Sequence, residues 1–315
     1  MNAVVVEGLR KHYGDVRAVD GLDLTVAIGD VVALLGPNGA GKTTTVEILE
    51  GYRTPDAGRV EVLGVDPRTG GRAFRERIGI VLQEAGFEEM FSPRELLRLH
   101  AGWYPSPRPV QEVLALVGLE EKADAKVRSL SGGQRRRLDL ALGIVGGPEM
   151  LFLDEPTTGF DPSARRRAWD VVDGLRSLGA TIVLTTHYLG EAEHLADRLV
   201  VVDHGRVVAQ GTAEELAATA GLATVVSFRL PAGTAVADLP RVGEDVRVAG
   251  SVVDVRTRSA TADVAALAGW AVQRGLELDG LSLTRPSLED VYLDLVGEAG
   301  TPAEVAGAAH GGDAP

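Results

Sequence analysis

A glycine-rich turn near the N-terminus constrains this chain more than any other stretch. Residues 36–44 read Gly-Pro-Asn-Gly-Ala-Gly-Lys-Thr-Thr, which fits the pattern G-x-x-x-x-G-K-[ST] of a phosphate-binding loop. Five apolar residues, 31–35, precede the turn and predict a buried strand, and residues 44–50 predict a helix after it. A helix start in this position directs free N–H groups and the positive end of its dipole at a phosphate. The predicted phosphate-binding residues are Gly36, Pro37, Asn38, Gly39, Ala40, Gly41, Lys42, Thr43 and Thr44.

Two side chains of this loop have specific expected roles. Lys42 is expected to reach the β- and γ-phosphates, and the Thr43 hydroxyl is expected to bind Mg²⁺. Only four of the chain's 32 basic residues are lysines, yet one of the four stands here. A lysine is a compact point charge and an arginine is a planar fork, so the two are not interchangeable at this position.

Composition bounds the class of protein. At 315 residues, the chain has room for one large domain and one small domain. Its hydrophobic residues (45%) are mostly aliphatic, since aromatics make up 4%, which favours a parallel sheet filled by Val, Leu, Ile and Ala. The lack of cysteine excludes disulfides and thiolate metal sites.

The charge of the chain and the length of its apolar runs indicate its location in the cell. No apolar run approaches the roughly 20 residues needed to cross a bilayer, and the N-terminus lacks the features of a signal peptide. We therefore expect a cytoplasmic protein. A net charge of −13 argues against binding nucleic acid or anionic lipid through the whole surface.

The segments around the loop alternate between two kinds of structure. Residues 3–28 predict antiparallel strands, and residues 59–63 and 78–82 predict further strands. Residues 87–147 change character and predict a helical insertion, in which Ser92-Pro93-Arg94-Glu95 is a capping box that starts a helix. Another helix is expected after Ser131-Gly132-Gly133, and the run 135–137 of three arginines is expected to form a solvated face of it.

Polar residues follow the predicted strands at the edge where ligands bind in α/β sheets. Asp154 and Glu155 end an apolar strand, so Asp154 is the expected acid on the Mg²⁺ side and Glu155 the expected acceptor of a proton from attacking water. Gln83 and His187 also follow strands. Taken alone, Gln83 is better explained as a solvated strand end, and His187 as a structural histidine. Tyr13 precedes a turn, where a half-buried tyrosine is a simpler explanation than stacking on a base.

Taken in order, these pieces resemble the ATP-binding subunit of ABC transporters across residues 1–220. The most specific element is Leu130-Ser131-Gly132-Gly133-Gln134, the signature that other phosphate-loop enzymes lack. The resemblance implies an α/β fold of the P-loop NTPase, ABC type: a parallel core sheet, an antiparallel β subdomain, and a helical subdomain at residues 87–147. It also implies roles for single residues: Tyr13 stacks on adenine, Gln83 is the Q-loop glutamine and an Mg²⁺ ligand, Asp154 is the second Walker acid, Glu155 is the catalytic base, Asp161 is the D-loop aspartate, and His187 is the switch histidine.

Four shorter stretches narrow the resemblance to the daunorubicin-resistance type of exporter ATPase. They are residues 157–162, 184–193, 203–206 and 287–293. Phe160 departs from the leucine that is more usual before the D-loop aspartate, a conservative apolar change that affects local packing.

The C-terminal third predicts a second, small α/β domain at residues 221–297, followed by a disordered tail at 298–315. The expected elements are strands within 225–230, 246–257 and 276–284, and helices at 261–275 and 286–296. In the family, such an extension packs on the ATPase and regulates it or binds its partner. A dimer-stabilising appendage is an equally good hypothesis.

The function implied by the resemblance is ATP hydrolysis, with Mg²⁺, that drives export of a hydrophobic drug or antibiotic through a separate ABC-2 type permease. Ser131, Gly132, Gly133, Gln134 and Asp161 then bind nucleotide across a dimer, most simply a homodimer. The protein is expected to sit at the inner face of the membrane, without nucleic acid. The alternatives are another cargo (lipid, polysaccharide or ion), or a soluble ABC protein acting on ribosomes or DNA. Such soluble proteins usually carry two cassettes or a long coiled-coil insertion.

Overall fold

The computed structural model describes residues 1–81, 86, 88–158, 160–220, 222–231 and 233–299. The chain divides into two compact units, Met1–Ala213 and a second unit that starts at Glu214. The prediction of a disordered tail after residue 297 falls almost wholly outside the described residues.

The first unit contains two sheets and the helices that cover them. Its strands are β1 (Asn2–Tyr13), β2 (Val16–Ala27), β3 (Val31–Leu35), β4 (Ala57–Val62), β5 (Ile78–Val81), β6 (Met150–Asp154), β7 (Thr181–Thr185), β8 (Arg198–Asp203) and β9 (Arg206–Gly211). Its helices are α1 (Lys42–Leu49), α2 (Gly71–Arg75), α3 (Pro93–Ala101), α4 (Val110–Leu116), α5 (Gly132–Ile144), α6 (Pro162–Ser177) and α7 (Leu189–Leu195).

The larger sheet has the strand order β5-β6-β7-β3-β8-β9. All neighbours are parallel except β9, which pairs antiparallel with β8. Strand β3 is buried at every position, as expected for a strand covered on both faces. Because the parallel strands share a direction, the residues that follow β3, β6 and β7 emerge at one edge. This edge carries the candidate site.

A smaller antiparallel sheet, β2-β1-β4, packs with α1 and the larger sheet around one apolar core. One buried cluster includes residues from all three: Val4 and Leu22 from the small sheet, Val32 and Phe152 from the large sheet, and Ile48 from α1. The predicted combination of parallel core sheet and antiparallel subdomain is therefore confirmed.

The helical insertion follows the sequence signals closely. Helix α3 begins at the predicted capping box, in which Ser92 accepts from the N–H of Glu95 and Glu95 accepts from the N–H of Ser92. Helix α4 ends before Gly118, whose φ of +62° is a conformation that glycine adopts without strain. Helices α2 and α7 were not predicted. They have five and seven residues, too few for a clear apolar period.

The second unit begins with α8 (Ala213–Thr219), which crosses the boundary, and contains β10 (Thr224–Arg229), β11 (Asp245–Ala249), β12 (Val252–Thr257), α9 (Ala260–Gln273), β13 (Ser282–Thr284) and α10 (Leu288–Ala299). Its sheet is antiparallel, in the order β11-β12-β10-β13. The segment 246–257 is two strands that turn at Gly250, where φ is +64°. The strand expected over 276–284 is restricted to its last three residues.

In the part of the chain that the structure describes, no helix combines the length and apolar character needed to cross a membrane.

Candidate functional site

The phosphate-binding loop connects β3 to α1 and is packed too tightly for side chains at two glycines. A Cβ on Gly36 would lie 2.1 Å from the carbonyl oxygen of Val202, and one on Gly41 would lie 2.2 Å from that of Ala18. Gly41 also has a φ of +102°, which L-residues rarely adopt. Both glycines are therefore required by the fold of the loop.

The side chain of Lys42, the first residue of α1, folds back towards the phosphate-binding loop that precedes it. Its Nζ donates to the carbonyl oxygens of Gly36 (2.7 Å) and Pro37 (3.0 Å), and the residue is 7% exposed. Burial lowers the pKa of the ammonium below its ordinary value, and the charges of Glu155 and Asp154 oppose that shift. The ammonium thus lies within electrostatic reach of both acids. Thr43 is exposed beside it.

The two acids are held at the end of β6 by the neighbouring strand β7. The hydroxyl of Thr185 donates to the Asp154 carboxylate. The N–H of Glu155 contacts the hydroxyl oxygen of Thr185, at 3.1 Å. Glu155 has a φ of +46°, a costly conformation for a glutamate that persists where surrounding contacts enforce it, often at functional sites.

Glu155 and His187, which lie 32 positions apart, meet at this edge. Nδ1 of His187 is 3.2 Å from Oε1 of Glu155, and the hydroxyl of Thr158 donates to Oε2 at 3.0 Å. The Glu155 side chain is mostly buried, whereas that of His187 is mostly exposed. The structure therefore brings together two residues that the sequence proposed separately, and adds Thr158 as a second partner.

Arg136 corrects the expectation that residues 135–137 form a solvated helix face. Its side chain is 13% exposed, and the guanidinium donates to the carbonyl oxygens of Asp154 (3.0 Å), Glu155 (3.2 Å) and Pro156 (3.2 Å). It also pairs with Asp139 at 2.8 Å. Burial raises the pKa of the Asp139 carboxyl to about 6, although Arg136 acts in the opposite direction. Arg136 therefore ties α5 to the segment that presents both acids.

The neighbouring arginines differ from each other. Arg137 donates to the carbonyl oxygens of Val117 (3.0 Å) and Gly118 (2.6 Å), which satisfies the end of α4. Arg135 is more exposed and lies 3.7 Å from Glu89. The prediction of a solvated face is thus wrong for Arg136 and Arg137, because the neighbouring chain covers two sides of the helix.

The signature residues form the start of α5. Ser131 accepts a hydrogen bond from the N–H of Gln134 (3.3 Å), and the Gln134 side chain accepts one from the N–H of Ser131 (2.9 Å). Ser131 and Gly132 are exposed. A Cβ on Gly133 would be in ordinary contact with Ala164, at 3.7 Å. The signature therefore faces solvent as a capped helix start, a form that suits an anion.

Three further predicted residues have different outcomes. The Asp161 carboxylate caps α6 by accepting from the N–H groups of Ala164 and Ser163, at 2.9 Å each, and these bonds lower its pKa. Tyr13 is 40% exposed, and the centre of its ring lies within 6 Å of the cationic groups of Lys11 and Arg53. Gln83 lies outside the described residues.

A groove of about 690 Å³ lies on the first unit between the end of α1 and the helical insertion. Its apolar walls include Phe74, Ile80, Leu96, Leu99, Trp103 and Tyr104. Leu99 and Trp103 are more than half exposed. Asp139, which pairs with Arg136, also lines the groove.

Arg136, Thr158 and Thr185 are parts of the site that were not predicted from the sequence. Arg136 and Asp139 are three positions apart on a helix, a spacing that allows an ion pair, so the pair was detectable. The bonds from Arg136 to the carbonyl oxygens carry no sequence signal, because any residue supplies a carbonyl.

Comparison with known proteins agrees with this geometry. A family profile described as "ABC transporter" matches residues 19–158, and one for the C-terminal domain of "ABC transporter domain-containing protein-like" matches residues 224–287. The daunorubicin resistance ATP-binding protein DrrA3 of Streptomyces coeruleorubidus is 44% identical, over 94% of this chain and 96% of its own. The Nod factor export ATP-binding protein I of Rhizobium sp. (strain N33) is 40% identical, over 94% and 97%.

A solved structure of an ATP-binding subunit of an ABC transporter superposes with a TM-score of 0.64 at 27% identity, and the match covers 70% of this chain and 93% of that one. With relatives this similar over nearly the whole length, the chain belongs to the family of ABC transporter ATP-binding proteins and is an ATPase of that family.

Proposed function

We propose that the chain powers export of a hydrophobic, drug-like or antibiotic-like compound through a separate membrane subunit of the ABC-2 type. The observation that carries this proposal is the similarity of both units to an ATP-binding protein named for daunorubicin resistance. A second candidate is export of another cargo, such as a lipid, polysaccharide or ion, which the similarity to a Nod factor export protein favours. Cargo is recognised by the membrane subunit, so the ATPase fold alone does not choose between them.

In the proposed reaction, Glu155 takes a proton from the attacking water and His187 contacts the γ-phosphate. The contact of 3.2 Å between Oε1 and Nδ1 supports joint action, since a base and its orienting partner work within hydrogen-bond reach. Thr158 holds the other carboxylate oxygen, which fixes the direction of the base.

ATP binds to the backbone N–H groups of residues 36–44, and Lys42 exchanges two carbonyl oxygens for the β- and γ-phosphates. Tyr13 stacks on the adenine, and its two neighbouring cations add favourable charge near the nucleotide. Thr43, Asp154 and Gln83 are the proposed Mg²⁺ ligands. The donors that the structure describes fit this ion, which prefers hard oxygen ligands, and they flank Lys42. When bound, Mg²⁺ neutralises charge on the phosphate oxygens.

A second copy of the chain completes the site in this proposal. The nucleotide held by one copy faces five residues of the other: Ser131, Gly132, Gly133, Gln134 and Asp161. The exposed, capped start of α5 supports this arrangement, because free N–H groups at a helix N-terminus bind phosphate oxygens. Two identical active sites then form in a homodimer.

The membrane subunit docks on the groove beside the helical insertion, and the ATPase sits at the inner face of the cell membrane. The exposed Leu99 and Trp103 support a partner there, because apolar patches of this kind mark interaction surfaces. Occupancy of the nucleotide site would reach the groove through Asp139 and Arg136, which contacts the acid-bearing segment directly.

The proposal is tested by co-expressing the chain with an ABC-2 membrane subunit and measuring ATPase activity with and without daunorubicin. We expect the drug to stimulate activity in the complex, and no stimulation of the chain alone. Stimulation by a lipid or polysaccharide instead would select the second candidate. Recovery of the chain with ribosomes or DNA, and not with membranes, would contradict transport altogether.

The role of Glu155 is tested separately with E155Q. This variant should bind ATP normally, turn it over about 10² to 10⁴ times more slowly, and accumulate as an ATP-bound dimer. Thr158→Val is the matched comparison, since it removes one contact to the carboxylate but leaves the base, and we expect a smaller loss. Normal turnover by E155Q would exclude Glu155 as the base.

A further inference from the structure

Glu50 is an acid in a place that disfavours its charge. It immediately follows α1, as the C-cap of the helix, where the negative end of the helix dipole opposes a carboxylate. The residue is 6% exposed and lines the groove defined above. Burial, followed by the charges of Asp154 and Glu47, raises the pKa of its carboxyl to about 8. An acid in this setting is stabilised by a cation or by remaining protonated.

No such cation is present in the described part of the chain. Among those residues, the Glu50 side chain has no hydrogen bond and no ion pair within 4 Å. The other charged or titratable groups lining the groove are Tyr52, Arg75, Glu88, His100, Tyr104 and Asp139. Arg75 is exposed and makes no ion pair with Glu50, and Asp139 is already paired with Arg136. Among the residues that the structure describes, the lining of the groove therefore has an excess of acids, and Glu50 is one without a partner.

The walls of the groove indicate the shape of a suitable ligand. Phe74 and Leu96 are buried, while Leu99 and Trp103 are exposed. Aliphatic and aromatic walls with an acid between them suit a long basic side chain, whose methylene stem packs on apolar surface while its charged end meets the acid. Trp103 and Tyr104 add aromatic faces that attract cations.

We infer that Glu50 anchors a lysine or arginine side chain of the membrane-subunit segment that docks in this groove. The inference rests on the proposed function for the identity of the partner, and adds the chemistry by which the partner is recognised. Docking would replace a protonated, unpaired acid with an ion pair. Because the cation favours the ionised carboxylate, Glu50 would release its proton as the partner binds.

The first test needs no membrane partner. The probe is n-butylguanidinium, which mimics an arginine side chain, and n-butylurea is its neutral control. Calorimetric titration of the full chain in two buffers of different ionisation enthalpy measures both affinity and proton release. At pH 7, we expect guanidinium binding with release of up to one proton, and little binding of the urea.

Two variants, one in α1 and one at its C-cap, decide the result. E50Q should weaken guanidinium binding by about tenfold or more, as expected for loss of a charge-assisted bond, and should release no proton. E47Q is the matched control, because Glu47 does not line the groove and pairs instead with Arg53. It should bind guanidinium at least as tightly as the native chain and release fewer protons, because loss of the Glu47 charge lowers the pKa of Glu50. Equal binding by E50Q and the native chain would overturn the inference, as would the absence of guanidinium binding to the native chain.

The second test uses the membrane subunit that co-purifies with the tagged native chain. E50K should reduce recovery of the complex at least about tenfold, and replacing the partner's docking lysine or arginine by glutamate should restore it in the E50K background. If the native chain recovers no membrane subunit, the proposed function fails. If the native chain recovers the membrane subunit, and E50K and E50Q recover as much of it as the native chain does, only the role of Glu50 fails.

Discussion

At the scale of single residues, Arg136 links two segments that lie 18 to 20 positions apart. A buried arginine is tolerated when its donors are used, and here Asp139 and three carbonyl oxygens take them. Those carbonyls belong to residues 154–156, which present the candidate acids. The arginine is therefore a positioning residue for the site.

Replacing Arg136 by lysine tests this positioning role. The lysine keeps the charge next to Asp139 but cannot span three carbonyl oxygens, because its ammonium is a single point of donation. We expect R136K to lose about 1–3 kcal/mol of stability and to lower kcat with little change in the KM for ATP. Urea unfolding and steady-state kinetics measure the two effects.

R135K is the matched control on the same helix, since Arg135 is more exposed and makes weaker contacts. It should resemble the native chain in both measurements. A native kcat in R136K would show that the carbonyl contacts do not position the acids.

Glu50 gives a prediction about stability and pH that does not depend on any partner. Its pKa of about 8 in the folded chain exceeds the ordinary value of a glutamate, near 4.3. Between these values, the folded state holds a proton that the unfolded state has lost, so stability falls as pH rises. Below pH 4 both states are protonated, and the group has no effect.

E50Q removes this loss of stability at high pH, because glutamine has the same shape as glutamate and does not ionise. We expect E50Q to be more stable than the native chain at pH 8, by a few kcal/mol at most, and to approach it at pH 5. Thermal unfolding across this range measures the difference. A difference between the two proteins that stays constant with pH would contradict the raised pKa of Glu50.

At the scale of elements, the phosphate-binding loop depends on the strand ends around it. Gly41 has a φ of +102° and lies so close to the Ala18 carbonyl that a Cβ would be 2.2 Å from it. G41A should therefore cost about 2–5 kcal/mol, from strain and overpacking together, and should abolish ATP binding. Chemical unfolding and equilibrium dialysis with ATP are the measurements.

G39A separates strain from crowding in the same loop. Gly39 also has a positive φ, +82°, but a Cβ there would meet nothing within 4 Å. The expected cost is about 1–2 kcal/mol, from strain alone. Equal losses of stability in the two variants would contradict the crowding at Gly41.

Elements with strong local signals were predictable from the sequence, and those fixed by distant contacts were not. Helices α3 and α5 each start at a capping box, so their positions follow from four residues. Strand β3 is an apolar run, β6 is apolar up to Asp154, and β7 has an apolar centre between two threonines, and these patterns placed Asp154, Glu155 and His187 at one edge. The burial of Arg136 could not be predicted, because three of its partners are backbone carbonyl oxygens from another part of the chain. The sequence predicted strand structure over residues 246–257 but not the hairpin β11–β12, because a single glycine, Gly250, marks the turn.

At the scale of the whole molecule, the signature and the phosphate-binding loop are proposed to meet only between two copies. This makes Gly133 informative, because its backbone has no positive φ and a Cβ would make an ordinary contact with Ala164. G133A should fold at least as stably as the native chain, with up to about 1 kcal/mol gained from the helix preference of alanine. It should nevertheless lose ATPase activity, because in the proposed dimer the added methyl group would lie next to the nucleotide of the other copy.

Mixing two inactive variants tests whether the sites are shared between copies. K42A lacks the phosphate-binding lysine and G133A has a defective signature, so a dimer of one of each contains one site with both defects and one intact site. In a symmetric dimer assembled at random, half of the molecules are mixed, and the equimolar sample should regain about a quarter of native ATPase activity if sites act independently. A cassette that used its own signature would give a mixture as inactive as its two components, since neither chain then carries a complete site.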